Sequence, residues 1–318
     1  MESCLEAIAQ QLTQSDQILI ISHKNPDGDT LGSAGGLFYA LKQLGKQAAI
    51  ICSDPIPKRF LYLFEEAQQF VLDFKPQLIV SVDVADVTLL GPKTQEFANR
   101  IDICIDHHKS NGVIAKQSYI EVEAAATCEI IYLLLKQMSV QIDRKIANCL
   151  YTGICTDTGC FKFSNTTPRT HRIAAALFES GCEYEQINRR LFDIKSMEYM
   201  MVKRDALEHL EFYYDKRVAL IVISQALLQK IQVDVAELDG ISAIPRQIEG
   251  VDIGIILKER PEGGYKVSIR TGATVDASEL CKQLGGGGHA RAAGCAIDAD
   301  LETTKNKLLK VIQPIFQE

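Results

Sequence analysis

The stretch Ser22-His23-Lys24-Asn25-Pro26-Asp27-Gly28-Asp29 puts one imidazole and two carboxylates within seven residues. It follows the apolar run Ile18 to Ile21, which reads as a buried strand, so His23 leaves that strand at its carboxyl end. Pro26 and Gly28 force a turn that can aim Asp27 and Asp29 in different directions, which lets one loop serve two cations. The same residue types recur: Asp83 comes near the end of a strand read over Leu78 to Val84, Asp106-His107-His108 follows a strand over Ile101 to Ile105, and Asp157 sits in Thr156-Asp157-Thr158-Gly159. His23, Asp27, Asp29, Asp83, His107 and Asp157 together offer four carboxylates and two imidazoles, a donor set that suits a divalent ion such as Mn²⁺ better than a thiolate zinc site does. A shared carboxylate between two ions about 3.5–4 Å apart would polarise a phosphoryl oxygen and yield a hydroxide nucleophile, the chemistry of phosphate-ester hydrolysis. Singly, each residue has a structural alternative: Asp29 as a helix cap, Asp83 as a turn acid, Asp157 as a helix-end residue, His107 as a packed histidine. Those alternatives do not account for all six at once.

The elements that must position these groups alternate between strand and helix. Residues 30–44 repeat small and apolar groups at helical spacing, with Gly45 as the stop, and Gly32, Ser33, Gly35 and Gly36 would let this helix lie close to the sheet or a ligand. Ala48 to Cys52 reads as a strand and Pro57 to Phe64 as a short helical stretch; helices are expected from Glu123 to Met138, from Asp143 to about Cys155, and from Thr167-Pro168 to Gly181. The alternation predicts an α/β fold with a mostly parallel sheet flanked by helices, in which ligands gather at the carboxyl ends of strands near a topological switch point. His23, Asp83 and His107 would converge there.

A second α/β pattern follows. Residues 184–212 form a charged, helix-compatible segment read as a connector, giving domains at 1–183 and 213–318. Val218 to Ile223 reads as a strand before a helix capped by Ser224; Ile253 to Leu257 and Tyr265 to Arg270 read as paired strands joined through Pro261-Glu262-Gly263-Gly264, so the smaller domain is expected to have a mixed sheet. Asp276 caps a helix up to Leu284, and Gly285-Gly286-Gly287-Gly288-His289 comes next. Four successive glycines cost backbone entropy, which points to a close approach of the backbone to a ligand, with a flexible turn as the plainer alternative.

Composition narrows the partners. With 318 residues, 24% charged and 47% hydrophobic, the chain is long enough for two ordinary globular cores. A net charge of −7 argues against wrapping long nucleic acid, which needs a broad Lys/Arg surface, yet leaves room for a small anion in a local pocket. The ten cysteines include no Cys-x-x-Cys pair, so reduced, mostly buried thiols in a cytoplasmic protein are expected. Glu2 and Glu6 in place of a basic start, and the lack of an apolar run near 18 residues, argue against secretion and membrane insertion.

Ser-His-Lys-Asn-Pro-Asp-Gly-Asp, Val-Asp-Val-Ala-Asp, Asp-His-His and Thr-Asp-Thr-Gly occur in the order seen in the DHH phosphoesterases, and the glycine-rich segment is similar to that of the DHHA1 domain. The whole chain resembles the oligoribonuclease and 3'-phosphoadenosine 5'-phosphate (pAp) phosphatase branch of that family. The resemblance implies a metal-dependent hydrolase that degrades short RNA oligonucleotides to mononucleotides and converts pAp to AMP. By it, His23, Asp27 and Asp83 hold one ion, Asp29, Asp83, His107 and Asp157 the other, and Asp83 bridges them. His108 faces the scissile phosphate as a hydrogen-bond or proton donor, and Asp106 orients the histidine pair. Arg270 and Gly287-Gly288-His289 grip the distal phosphate and terminal nucleoside. The chain has Arg270-Thr271 where members commonly have Arg-Ser, and Arg291 where an amide is usual, which leaves the base or phosphate preference open. A cyclic di-AMP or linear dinucleotide phosphodiesterase is the alternative within the family; a nucleotide-binding regulator without catalysis would lack metal ligands, and none is missing. A homodimer is compatible with this reading.

Overall fold

The computed structural model describes residues 4–64, 70–233, 238 and 240–317, except for the His289 side chain. The chain divides into two compact units, Met1–Ile194 and Lys195–Glu318.

The first unit is built on a five-stranded, all-parallel sheet of β1 (Ile18–Ile21), β2 (Ala48–Ile51), β3 (Leu78–Val82), β4 (Ile103–Asp106) and β5 (Gln117–Ile120), in the order β2-β1-β3-β4-β5. β1 and β3 are buried along their whole length because helices cover one face and an apolar layer around Leu90, Phe97 and Ile101 covers the other. The chain leaves β1 to one side to form β2 and then returns to β3 on the other side, so the switch point lies between β1 and β3. The helices are α1 (Leu5–Gln14), α2 (Gly28–Gln43), α3 (Thr127–Gln137), α4 (Arg144–Asp157), α5 (Pro168–Glu179) and α6 (Tyr184–Asn188). The stretch at Pro57 to Phe64 is a 3₁₀ helix over Lys58–Leu63.

The small residues of α2 serve a different neighbour from those anticipated. A Cβ on Gly32 would lie 2.4 Å from the Cys149 carbonyl oxygen, and one on Gly153 of α4 would lie 2.2 Å from Cys128 Sγ and 2.7 Å from Asp29 Oδ1. The two helices meet backbone to backbone, because a side chain at either position would be driven into buried atoms. This close packing, rather than contact with the sheet or a ligand, explains the glycines, and it carries the end of α4 to the start of α2. β5 carries no apolar alternation and is half-buried throughout, which is why no strand is read there from sequence.

The second unit contains a six-stranded mixed sheet, ordered β10-β11-β9-β8-β7-β6, of β6 (Glu211–Tyr213), β7 (Val218–Ile223), β8 (Ile253–Glu259), β9 (Tyr265–Thr271), β10 (Gly287–His289) and β11 (Ala292–Ile297). Only β7 and β8 run parallel. Ile253, Ile255, Val267 and Ile269 pack on one face with Leu280 of α9 (Ala277–Lys282) and Leu308 of α10 (Leu301–Ile312). The other face packs Ile221, Ile223 and Ile256 against Val202 of α7 (Met197–Glu208) and Leu228 of α8 (Gln225–Ile231). Ser224 and Asp276 cap their helices as read. The segment read as one connector is shared: α6 is tied to α4 through Asn188 and Tyr151, whereas α7 packs on the second sheet.

The glycine run is not a free loop. Gly287–His289 is an antiparallel edge strand on β11, and a Cβ on Gly286 or Gly288 would lie 2.2 Å from the Gly294 oxygen or 2.6 Å from the Ala292 oxygen. Two of the four glycines are therefore demanded by a neighbouring strand, independently of any ligand.

Candidate metal centre

Burial of the ILII strand and the turn after it bring His23 out beside the switch point. Asp27 ends that turn as the N-cap of α2, its Oδ1 accepting from the N–H groups of Asp29 and Thr30 at 3.1 Å each. The cap is thus Asp27, which frees Asp29 for another task. Asp29, fully buried, accepts from Thr127 N at 2.6 Å and Cys128 N at 2.9 Å. It therefore caps α3 from outside, meeting the positive end of that helix where Ala126 offers no capping side chain.

Asp83 follows β3 directly and stands at φ 57°, a left-handed conformation that aspartate tolerates. That kink turns its carboxylate, 2% exposed, back over the ends of β1 and β4, where Thr127 Oγ1 donates to Oδ1 at 3.0 Å. His23 Nε2 lies 3.7 Å from Asp27 Oδ1 and 3.7 Å from Asp83 Oδ2. On the other side, His107 Nε2 lies 3.4 Å from Asp157 Oδ2, 3.7 Å from Asp83 Oδ1 and 3.9 Å from Asp29 Oδ2. These distances are too long for hydrogen bonds and leave space for an ion between the donors. His107 Nε2 is buried without any hydrogen-bond partner, while its Nδ1 lies 3.2 Å from the Ala124 carbonyl oxygen. A backbone carbonyl on Nδ1 leaves Nε2 as the free lone pair, the arrangement of a metal-ligating histidine.

The structure brings His23, Asp27, Asp29, Asp83, His107 and Asp157 together, with Asp83 facing both imidazoles. Three sets of donor atoms lie within 4.8 Å of one another: His23, Asp27 and Asp83; Asp29, His107 and Asp157; and Asp83, His107 and His108. His108 thus sits closer to the cluster than its expected role requires, its Nδ1 3.7 Å from Asp83 Oδ1. That nitrogen is already engaged, 2.7 Å from Asp106 Oδ1. Asp106, fully buried, also accepts from His107 N at 2.8 Å and from Asn111 Nδ2 at 2.6 Å.

The electrostatics describe a site that needs positive charge. Burial first, and then the neighbouring Asp29 charge, raise Asp83 to about 7. Burial and the charges of Asp29, Asp27 and Asp83 likewise hold Asp157 well above the usual carboxylate range. Burial opposes a charged His23, yet the adjoining Asp27 and Asp83 carboxylates outweigh it and lift the imidazole to about 11. Burial also opposes a charged His108, but Asp106 outweighs it and raises that imidazole to about 9. A divalent cation would relieve this repulsion far better than shared protons can. The donor set, the orphaned His107 Nε2 and the crowded carboxylates all fit one.

Several supporting residues escape a reading of the sequence. The segment Ala124–Cys128 touches most of the cluster: Ala124 O holds His107, Thr127 holds Asp29 and Asp83, and Asn165 Nδ2 bridges the Ala125 and Asp157 carbonyls at 3.0 and 3.1 Å. Asn111 lies in an Asn-Gly turn, the one signal that could have marked it. Arg270 and Gly287-Gly288 belong to the second unit. Arg270 is half-buried on β9, with Nη1 donating to the Ile269 carbonyl at 3.2 Å, and the His289 side chain lies outside the described structure. All ten cysteines are unpaired, and most are buried. Among the described residues, no helix is long and apolar enough to cross a membrane.

Residues 17–154 match the N-terminal domain of the DHH family and residues 218–318 the DHHA1 domain. The chain is 32% identical over 299 residues to the bifunctional oligoribonuclease and PAP phosphatase NrnA of Thermus thermophilus, covering 93% of this chain and 89% of that one. It is 28% identical over 293 residues to a probable protein of the same name in Streptococcus mutans, covering 92% and 93%. An exopolyphosphatase-related protein of Bacteroides fragilis, 23% identical, shares the fold with a TM-score of 0.90 over 99% of this chain and 97% of that one. A DHH match followed in sequence by a DHHA1 match, together with 32% identity across nearly the whole length of a relative, shows that the chain belongs to the DHH phosphoesterase family.

Proposed function

We propose that this protein is a phosphoesterase that hydrolyses short oligoribonucleotides to mononucleotides and removes the 3'-phosphate of pAp to leave AMP, using two divalent cations, Mn²⁺ by preference. The observation that carries the reading is the anionic cluster around the partnerless His107 Nε2. His23, Asp27 and Asp83 would hold one ion, and Asp29, Asp83, His107 and Asp157 the other, with Asp83 common to both. Bound ions would supply Lewis acidity toward a phosphoryl oxygen and would acidify water. The protein's own part lies in positioning and protons. Asp106, fixed by Asn111, holds the His108 ring through Nδ1 and so would orient it toward the substrate. The Asp106 carboxylate favours the protonated imidazole, so His108 would bond a phosphate oxygen and protonate the departing one. Arg270 and the Gly287–His289 edge supply binding: a guanidinium fork and backbone groups outside the sheet ladder suit a phosphate and terminal nucleoside. The domains at 1–183 and 213–318 then divide chemistry from recognition. The matched family and the relatives named for these activities support the substrate class.

The test is turnover of pAp, a diribonucleotide and a cyclic dinucleotide by the purified chain with Mn²⁺ and with EDTA. Release of mononucleotides and AMP only in Mn²⁺ is the expected result. Cleavage of the cyclic dinucleotide alone would replace this substrate class with the alternative one.

A further inference from the structure

We infer that Arg246 is a second phosphate-gripping guanidinium beside Arg270, so that the two form one anion site on the second unit's sheet; this rests on the proposed nucleotide substrate. Arg270 is paired in register with Gly254 of β8 and Ala292 of β11. Val267 and Ile269 face the core shared with Ile253 and Ile255, so strand alternation places Arg270 and Gly254 on the opposite face. On that face the turn Pro245–Gln247 sits directly on Gly254: a Cβ there would lie 2.8 Å from Arg246 N and 3.1 Å from Arg246 Cβ. Gly272, whose N–H donates to the Asp252 carbonyl at 3.0 Å, continues the same face one step past the strand. A Cβ on Gly272 would lie 3.1 Å from Arg246 Nη2 and 3.6 Å from its Cζ and Nε, so the guanidinium lies against that glycine. The Arg246 side chain therefore runs from Gly254 to Gly272, alongside the rung that carries Arg270.

Neither guanidinium has an acidic partner among the described residues. Arg246 Nε is buried and bonded to nothing, and Arg270 reaches only the Ile269 carbonyl. The neighbouring cation, Arg291, is already engaged with the Gly272 and Val275 carbonyls at 2.6 and 2.8 Å, and the nearby Asp252 carboxylate is paired with Arg217. Burial holds Arg270 below its ordinary pKa, as expected of a desolvated cation without a counter-charge. Two adjacent guanidinium groups, partly desolvated and unneutralised, are costly in the free protein and are relieved by a phosphate that takes both forks. The two glycines also gain a reason: any side chain at 254 or 272 would displace Arg246.

Arg246→Gln is the informative variant, because the planar amide can still lie on Gly272 while the charge is gone. With the full-length protein, binding of pAp and of a 5'-phosphorylated diribonucleotide is measured calorimetrically in EDTA, and kcat and KM are measured in Mn²⁺ against these and against bis(4-nitrophenyl) phosphate. The expected result is a tenfold to hundredfold weaker Kd and higher KM for the nucleotides, partial rescue in Arg246→Lys, an unchanged melting temperature, and unchanged turnover of the nitrophenyl ester. If Arg246→Gln binds as the wild type does, or loses both substrate types equally, the inference is overturned while the enzymatic reading stands. If the wild type itself neither binds nor cleaves the nucleotides, both fall together.

Discussion

Replacing Asp83 by asparagine should destroy activity and at the same time stabilise the metal-free protein. Asp83 stands at φ 57°, where asparagine is tolerated as aspartate is, whereas alanine would add a backbone penalty of roughly 1–2 kcal/mol. The asparagine carbonyl can still accept the Thr127 hydroxyl, so the variant removes charge and little else. Burial and the Asp29 charge raise the Asp83 pKa from 3.8 to about 7. The folded pKa lies above the unfolded one, so the metal-free native state binds a proton that the unfolded chain has released. The Asp83 contribution to stability therefore falls as pH rises from about 4 to about 7 and is level above that. At 1.36 kcal/mol per pH unit the cost above pH 7 is roughly 4 kcal/mol. For a unit of this size that corresponds to roughly 10 °C in melting temperature. In EDTA at pH 8.5 the variant should melt higher than the wild type by that order, and the gap should close near pH 4. Mn²⁺ at about 100 times its dissociation constant should then add about 2.7 kcal/mol to the wild type and little to the variant. Differential scanning fluorimetry across pH, with and without metal, reads both effects. A variant that melts lower in EDTA at pH 8.5, or gains as much from Mn²⁺ as the wild type, would refute both the charge-repulsion argument and the shared role of Asp83.

Three further outcomes follow from the same geometry. His108→Ala should lower turnover while leaving bound Mn²⁺ unchanged by elemental analysis; loss of metal would make His108 a ligand, as its approach to Asp83 allows. Arg270→Ala should reduce kcat/KM on a dinucleotide by one to two decades, from about 1.5–3 kcal/mol for a charge-assisted phosphate contact, and spare a small generic phosphodiester; equal loss on both would mean that Arg270 completes the catalytic site. Gly153→Ala should destabilise by about 1–3 kcal/mol and weaken Mn²⁺ binding, because its Cβ would press on Cys128 Sγ and Asp29 Oδ1; urea denaturation and metal titration that both match the wild type would show that α2 and α4 can part without consequence.

The sequence alone determined the parallel α/β plan and the identity of the clustered residues, because both are written locally. A run such as Ile18 to Ile21 ends where His23 begins, and Asp106-His107-His108 follows its strand without a gap, so each donor's place at a strand end can be read from a few neighbours. Caps at Thr167, Ser224 and Asp276 are local in the same sense. What only the tertiary structure decided involves partners distant in the chain. Asp29 meets the N-terminus of α3 across 98 residues, Thr127 meets Asp83 across 44, and the glycines of α2 answer to a carbonyl of α4. Gly254 and Gly272 look unremarkable in sequence until the ladder sets them under one arginine. Such pairings carry no periodic signal, since they depend on which buried atoms arrive from elsewhere, and only packing fixes that.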